Sequence, residues 1–167
     1  MAQLSSLASI RSHQSGVPVD CRRNGKTMTH SMIFLPALAM VALTFVVLAV
    51  MFRRRVAQMK RDRIHPQKVS TSAEASALYT DVAPADNFRN LFEMPVLFYL
   101  ALVVAALTAQ VTPLVLGLAW AYVVARVLHS AIHCTYNKVM HRFRVFALSI
   151  LVLLVLWTVL GYGLIAG

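Results

Sequence analysis

The residues most able to do chemistry fall in one stretch, where polar side chains recur at intervals of three and four residues. They are Tyr122, Arg126, His129, Ser130, His133 and Asn137. At 100° per residue this spacing places them on one face of a helix. The rest of the stretch is apolar, and an arginine near the middle of a membrane helix costs about 2.5 to 3.5 kcal/mol on insertion scales. The face must therefore contact other protein, water or a polar ligand.

A shorter polar stripe precedes it and contains Asn87, Asn90 and Glu93, with Arg89 beside it. Glu93 is the only acidic residue inside a predicted membrane span. Its natural partner is Arg126, because pairing a carboxylate with a guanidinium removes two uncompensated charges at once. Ionisable residues inside a membrane usually mark a functional site, but a purely structural pair between helices is the alternative.

The spacing of His129 and His133 would also present two imidazoles to one metal ion. Glu93, Cys134 or His141 could complete such a site, but two histidines fill only half of a tetrahedral one. A b-type haem usually takes axial histidines from different helices, and no other predicted span contains one. We therefore expect no metal site, and a metal or haem protein stays as an alternative.

The composition of the chain indicates what surrounds these side chains. Hydrophobic residues make up 59% of the 167 residues and charged residues 13%, with a mean hydropathy of +0.67. These values exclude an ordinary soluble domain. The net charge of +10 could suggest a nucleic-acid partner. The basic residues instead flank the apolar runs, as topology signals do, so we expect membrane lipid as a partner and no nucleic acid.

Four apolar stretches are long enough to cross a hydrocarbon core of about 30 Å at about 1.5 Å per residue. They cover residues 31–52, 87–109, 114–134 and 145–166. The sequence therefore predicts an all-α integral membrane bundle of four transmembrane helices. Residues 1–30 are polar, have no periodic apolar face and are predicted to be a disordered tail, with Met28 as an alternative start. Residues 53–85 are predicted to form an extramembrane loop.

The basic residues also predict the orientation of the chain. If the four helices alternate, the connection after the first span lies on the same side as the one after the third, which carries Lys138, Arg142 and Arg144. The connection at 110–113 and the C-terminal end carry no basic residue. The positive-inside rule therefore places the two basic loops in the cytoplasm and both termini on the opposite side. In a bacterial cell this would be the inner membrane.

Taken together, these motifs resemble those of a known family. Asn90-Leu-Phe-Glu93-Met-Pro95 on the second span, Arg126-x-x-His129-Ser130-x-x-His133 on the third, and Arg142 after it are similar to the MAPEG family. These are the membrane-associated proteins of eicosanoid and glutathione metabolism. The resemblance covers residues 31–167 and includes the four-span layout and the basic loops.

The resemblance implies a homotrimer of four-helix protomers, which binds glutathione as co-substrate in clefts between neighbouring subunits near the cytoplasmic side. Asn90 and Glu93 would hold polar parts of glutathione, and Glu93 would also pair with Arg126. The carboxylates of the tripeptide would be bound by Arg89 and by the arginines at 53–55, Arg53 among them. His129 would line the cleft.

The two residues implied for catalysis are Arg142 and His133. Arg142 would stabilise the glutathione thiolate. A thiol with a pKa of about 8.5 is mostly protonated at neutral pH, and a fixed cation beside it favours the nucleophilic thiolate. His133 stands where better-known glutathione-using members carry a tyrosine. It could donate a hydrogen bond to the thiolate or act as a base.

The leading hypothesis is therefore a glutathione-dependent membrane enzyme that transfers the thiol to a lipophilic electrophile or reduces a lipid hydroperoxide. The apolar walls of the cleft would collect the lipophilic substrate, and the cytoplasmic mouth would admit glutathione. The alternative within the same fold is a non-catalytic protein, in which Glu93, Arg126 and the histidines lock the subunits together.

Overall fold

The computed structural model describes residues 31–166, so the predicted tail and its alternative start at Met28 lie outside the described residues. The helices are α1 (Phe34–Arg61), α2 (Ser72–Leu78), α3 (Ala83–Asn90), α4 (Met94–Leu107), α5 (Pro113–Cys134) and α6 (Val139–Ala166), with a 3₁₀ turn at Pro66–Val69. With α3 and α4 counted as one interrupted span, four helices are long and apolar enough to cross a membrane. The prediction of an all-α membrane bundle with four spans is confirmed.

Helix α1 continues past residue 52, where the first span was predicted to end, and reaches Arg61. The added stretch contains no glycine or proline and consists mainly of good helix formers. Arg54 in this stretch donates from Nη1 to Asp81 Oδ2 at 2.9 Å and from Nη2 to the carbonyl of Cys134 at 2.6 Å. It therefore satisfies a carbonyl at the C-terminal end of α5, where the helix dipole favours positive charge.

The connection between α1 and α3, predicted as a loop, contains α2 and packs back on α1. Thr71 and Glu74 form a capping box that begins α2. The buried side chain of Gln58 on α1 donates to the carbonyl of Leu78 at 3.4 Å and accepts from the N–H of Thr80 at 3.3 Å. Side-chain and main-chain hydrogen bonds thus fix both ends of this helix.

The second span is interrupted at residues 91–93, which separate α3 from α4. Pro95 explains the break, because proline has no N–H to donate and its ring collides with the carbonyl four residues earlier, here that of Leu91. Glu93 takes a non-helical backbone conformation inside the break, with φ −94° and ψ −87°. The span predicted as one helix over 87–109 is therefore built from two helices.

The core of the bundle is a strip of buried apolar side chains. It includes Met40 and Val47 on α1, Phe98 and Leu102 on α4, Val115 and Ala119 on α5, and Leu153, Leu156 and Leu160 on α6. The turn between α4 and α5 ends at Thr112, whose hydroxyl accepts from the N–H of Val115 at 3.2 Å. Most of the surface of α1 and α6 stays exposed, which fits contact with lipid.

Replacing Leu156 with alanine is expected to lower the free energy of unfolding by about 2 to 5 kcal/mol, because its side chain is fully buried and its removal leaves a cavity. Leu154 on the same helix is 60% exposed, so Leu154→Ala is a matched control with an expected change within about 0.5 kcal/mol. Denaturation curves of the purified variants in detergent measure both. Equal losses would contradict the assignment of the core face of α6.

Candidate functional site

The polar face of α5 is buried within the chain. Five members of the predicted stripe expose 3% of their surface or less: Tyr122, Arg126, His129, Ser130 and His133. Asn137, the last member, lies beyond the end of α5 and is exposed, with a left-handed backbone at φ 47°. Over about three helical turns the stripe therefore faces protein and not lipid.

Arg126 caps the C-terminal end of α3 across the bundle. Because α3 ends at Asn90, its last four carbonyls have no donor within the helix. Main-chain N–H groups of the break serve the first three, and Arg126 Nη2 donates to the fourth, that of Asn90, at 3.0 Å. The guanidinium also lies 5.7 Å from the ring centroid of Phe146. Its charge suits this end of the α3 dipole.

The predicted ion pair between Glu93 and Arg126 is not formed within the chain. Neither residue takes part in an ion pair within 4.0 Å anywhere in residues 31–166, and Glu93 is exposed. The helix break accounts for the difference, because Glu93 lies inside it and the carbonyl of Asn90 is freed beside it. Arg126 therefore donates to the main-chain carbonyl of Asn90 and not to the carboxylate of Glu93. The predicted ion pair between Glu93 and Arg126 is wrong for the single chain.

A second polar link joins α3 to α5. Asn87 is fully buried; its Oδ1 accepts from Ser130 Oγ at 3.3 Å, and its Nδ2 donates to Cys134 Sγ at 3.4 Å. Asn87 lies about one helical turn before Asn90. These bonds therefore hold the end of α3 against the polar face of α5.

Arg142, near the start of α6, reaches back to the end of α5. Its Nη1 donates to His133 Nε2 and to Asn137 Oδ1, each at 3.1 Å. Its main-chain carbonyl lies 3.3 Å from His129 Nδ1. The turn between α5 and α6 thus brings the guanidinium and both histidines together.

These contacts assign the position of the proton on each neutral imidazole. A guanidinium can only donate, so His133 Nε2 accepts and the proton of that ring lies on Nδ1. A carbonyl can only accept, so His129 Nδ1 carries the proton and Nε2 has the lone pair. The two histidines, one turn apart on α5, are held as opposite tautomers.

Three of the predicted site residues line one pocket of about 210 Å³. Its polar side is formed by Asn90, His129 and Arg142, and its apolar side by Val139, Phe143 and Phe146. Sequence reasoning missed the apolar side. The sequence could have indicated it, because these three residues and Arg142 are spaced three and four apart and so lie near one face of α6. The pocket combines a fixed cation with an apolar wall, so it can hold an anionic group beside a lipophilic one.

Several buried polar atoms along this face of α5 form no hydrogen bond within the described chain. They are Tyr122 Oη, Arg126 Nε and Nη1, His129 Nε2 and His133 Nδ1. Buried polar groups in folded proteins nearly always have a partner. The face is therefore suited to small polar groups, such as water or parts of a polar ligand.

The other predicted site residues lie apart from the pocket or contact it indirectly. Arg53 is exposed on α1, and Glu93 is exposed at the break. Arg89 is exposed on α3 and lines a separate pocket of about 40 Å³. Arg126 and His133 reach the pocket only through their hydrogen bonds to Asn90 and Arg142.

The histidines do not gather a larger set of potential metal ligands. The ring centroids of His129 and His133 are 5.6 Å apart. Within residues 31–166, no group of three or more His, Cys, Asp or Glu side chains is arranged so that it could hold a metal ion.

Residues 33–162 match the family model described as "MAPEG family". No curated protein and no solved structure matches the chain.

Replacing Ser130 with alanine is expected to lower the free energy of unfolding by about 1 to 3 kcal/mol, because a buried acceptor on Asn87 loses its donor. Thr158→Ala is the control, since the Thr158 hydroxyl is exposed and bonds only the carbonyl of Leu154 in its own helix. Thermal denaturation of both variants in the same detergent gives the comparison. A Ser130→Ala protein as stable as Thr158→Ala would argue against the link between α3 and α5.

Proposed function

The chain belongs to the MAPEG family, and from this membership we propose that it is a glutathione-dependent membrane enzyme, which transfers the glutathione thiol to a lipophilic electrophile or reduces a lipid hydroperoxide. The observation that supports the proposal most directly is the single pocket where Asn90, His129 and Arg142 meet. Its cationic side suits a tripeptide with two carboxylates. Its apolar side suits the lipophilic substrate.

In the proposed reaction Arg142 stabilises the thiolate of glutathione. Within the described residues only Nη1 of its guanidinium is hydrogen-bonded, so Nε and Nη2 are available to a bound anion. A fixed cation beside the sulfur raises the fraction of thiolate at neutral pH. The catalytic effect therefore depends on where the guanidinium is held.

The thiolate would then react in one of two ways. With an electrophile, a C–S bond forms and the leaving group departs with its electron pair. With a hydroperoxide, sulfur attacks the terminal oxygen and the O–O bond breaks, which gives an alcohol after protonation and a glutathione sulfenic acid. A second glutathione converts the sulfenic acid into glutathione disulfide and water.

The exposed residues of the predicted site fit an assembly in which neighbouring copies complete each other's pockets. The MAPEG family is generally oligomeric, and the proposed assembly is a homotrimer. Arg53, Arg89 and Glu93 lie outside the pocket of their own chain. In a homotrimer the two arginines would bind carboxylates of glutathione held beside a neighbouring subunit, and Glu93 would hold another polar part of it.

A non-catalytic member of the family is the second candidate, and one observation favours it. Arg142 Nη1 already donates to His133 and Asn137, as an arginine with a structural role would. Under this reading the polar residues of α5 and α6 hold the fold together and bind no glutathione.

The proposed orientation places the connection at residues 62–82 and the turn between α5 and α6 in the cytoplasm, and both termini on the opposite side. The clustering of basic residues next to the spans supports it. With this orientation the pocket beside Arg142 opens near the cytoplasmic face, where glutathione is supplied.

Glutathione is expected to bind the purified protein and to be consumed with a lipophilic electrophile or hydroperoxide. Isothermal titration measures the binding, and Arg142→Ala should reduce the turnover by about 10²- to 10³-fold while size-exclusion chromatography shows an intact oligomer. Arg144→Ala is the matched control, because Arg144 is exposed on the same helix. No heat at millimolar glutathione, or full activity in Arg142→Ala, would favour the non-catalytic candidate.

Single-cysteine variants in a background without Cys21 and Cys134 test the orientation. A membrane-impermeant maleimide added to intact cells is expected to label Thr112→Cys and to spare Gln67→Cys, and inverted vesicles should show the reverse. Labelling of Gln67→Cys from the outside would overturn the proposed orientation.

A further inference from the structure

His133 is the buried member of the pair of acceptors that holds the side chain of Arg142. Its Nε2 and Asn137 Oδ1 each lie 3.1 Å from Arg142 Nη1. His133 exposes 2% of its surface, whereas Asn137 is exposed. Water can compete for the hydrogen bond with the exposed amide of Asn137 but not for the one with the buried imidazole of His133. The position of the guanidinium therefore depends chiefly on His133.

Protonation affects the two histidines of this site differently. A protonated His133 has N–H donors on both ring nitrogens and no acceptor, so its hydrogen bond with Arg142 is lost and two cations face each other. His129 donates from Nδ1 to the carbonyl of Arg142, and that bond persists when Nε2 gains a proton. Of these two hydrogen bonds, only the one between His133 and the guanidinium is therefore lost on protonation.

The charged and titratable groups that face His133 come from three helices. Arg126 and His129 lie on α5 itself, Arg142 lies on α6, and Asp86 lies on α3. Two guanidinium groups thus oppose one carboxylate.

We propose that His133 is a positioning residue for Arg142, which holds the guanidinium at the glutathione pocket while the imidazole is neutral and releases it when the imidazole is protonated. The inference rests on the proposed function and adds to it a proton-dependent control of the same site. Glutathione binding then weakens on acidification even when the ligand has no ionisable thiol.

The first experiment needs no glutathione. The protein is labelled with ¹⁵N-histidine and reconstituted in lipid, and the signal of His133 is assigned by its loss in His133→Gln. At neutral pH this signal is expected to show an unprotonated Nε2 and a proton on Nδ1, and Arg142→Ala should shift the Nε2 resonance. A proton on Nε2 at neutral pH would overturn the inference whether or not glutathione binds.

The second experiment measures S-hexylglutathione binding by calorimetry at about pH 8 and about pH 5, above and below the ordinary pKa of histidine of about 6.5. S-hexylglutathione is a thioether and has no thiol to ionise, so a change in its affinity between the two pH values does not come from the ligand's sulfur. The wild-type protein is expected to bind more weakly at the lower pH, approaching a tenfold loss for each pKa unit of coupling between His133 and the ligand as the imidazole becomes protonated. In His133→Gln the amide oxygen can accept from Arg142 but does not titrate, so the ratio of the two affinities should fall to near one.

His141→Gln is the matched control, because His141 is exposed near the start of α6 and contacts Tyr136; it should keep the wild-type ratio. A His133→Gln protein with the wild-type ratio would overturn the inference and leave the proposed function standing. An absence of S-hexylglutathione binding at both pH values would overturn the proposed function, and the ¹⁵N signal of His133 would then decide its contact with Arg142 independently.

Discussion

A guanidinium that is fully buried in a membrane helix needs acceptors inside the protein, because lipid offers none and an unpaired charge there costs several kcal/mol. Arg126 is in this position, and the acceptor it finds is the main-chain carbonyl of Asn90. That carbonyl is free because α3 stops there, and Pro95 makes the helix stop. The break in the second span, the charge on the third and the pocket beside Asn90 are thus parts of one arrangement.

Arginines make similar links between helices elsewhere at this end of the bundle. Arg54 on α1 donates to the carbonyl of Cys134, and Arg142 on α6 donates to His133 near the end of α5 and to Asn137 just beyond it. An arginine from a different helix therefore contacts the C-terminal end of α3 and that of α5 near the site. Such contacts suit the negative end of a helix dipole, and they also fix the helices relative to one another.

Much of this could be predicted from the sequence, because hydropathy and helical periodicity carry the information. The lengths of the apolar runs gave the four spans, and the spacing of polar residues placed His129 and His133 on the buried face of α5. The partner of Arg126 could not be predicted in this way. Its acceptor is a main-chain carbonyl, which every residue has, and only the local effect of Pro95 on the backbone makes that of Asn90 available. The apolar side of the pocket was missed because Phe143 and Phe146 look like any other residues of a membrane helix.

The contacts of Arg54 join three separate parts of the chain. Its guanidinium lies on α1 and holds both Asp81, in the segment that leads into α3, and the carbonyl of Cys134, the residue next to His133. One guanidinium on α1 therefore joins the segment that leads into α3 to the end of α5, and its loss would release both contacts together.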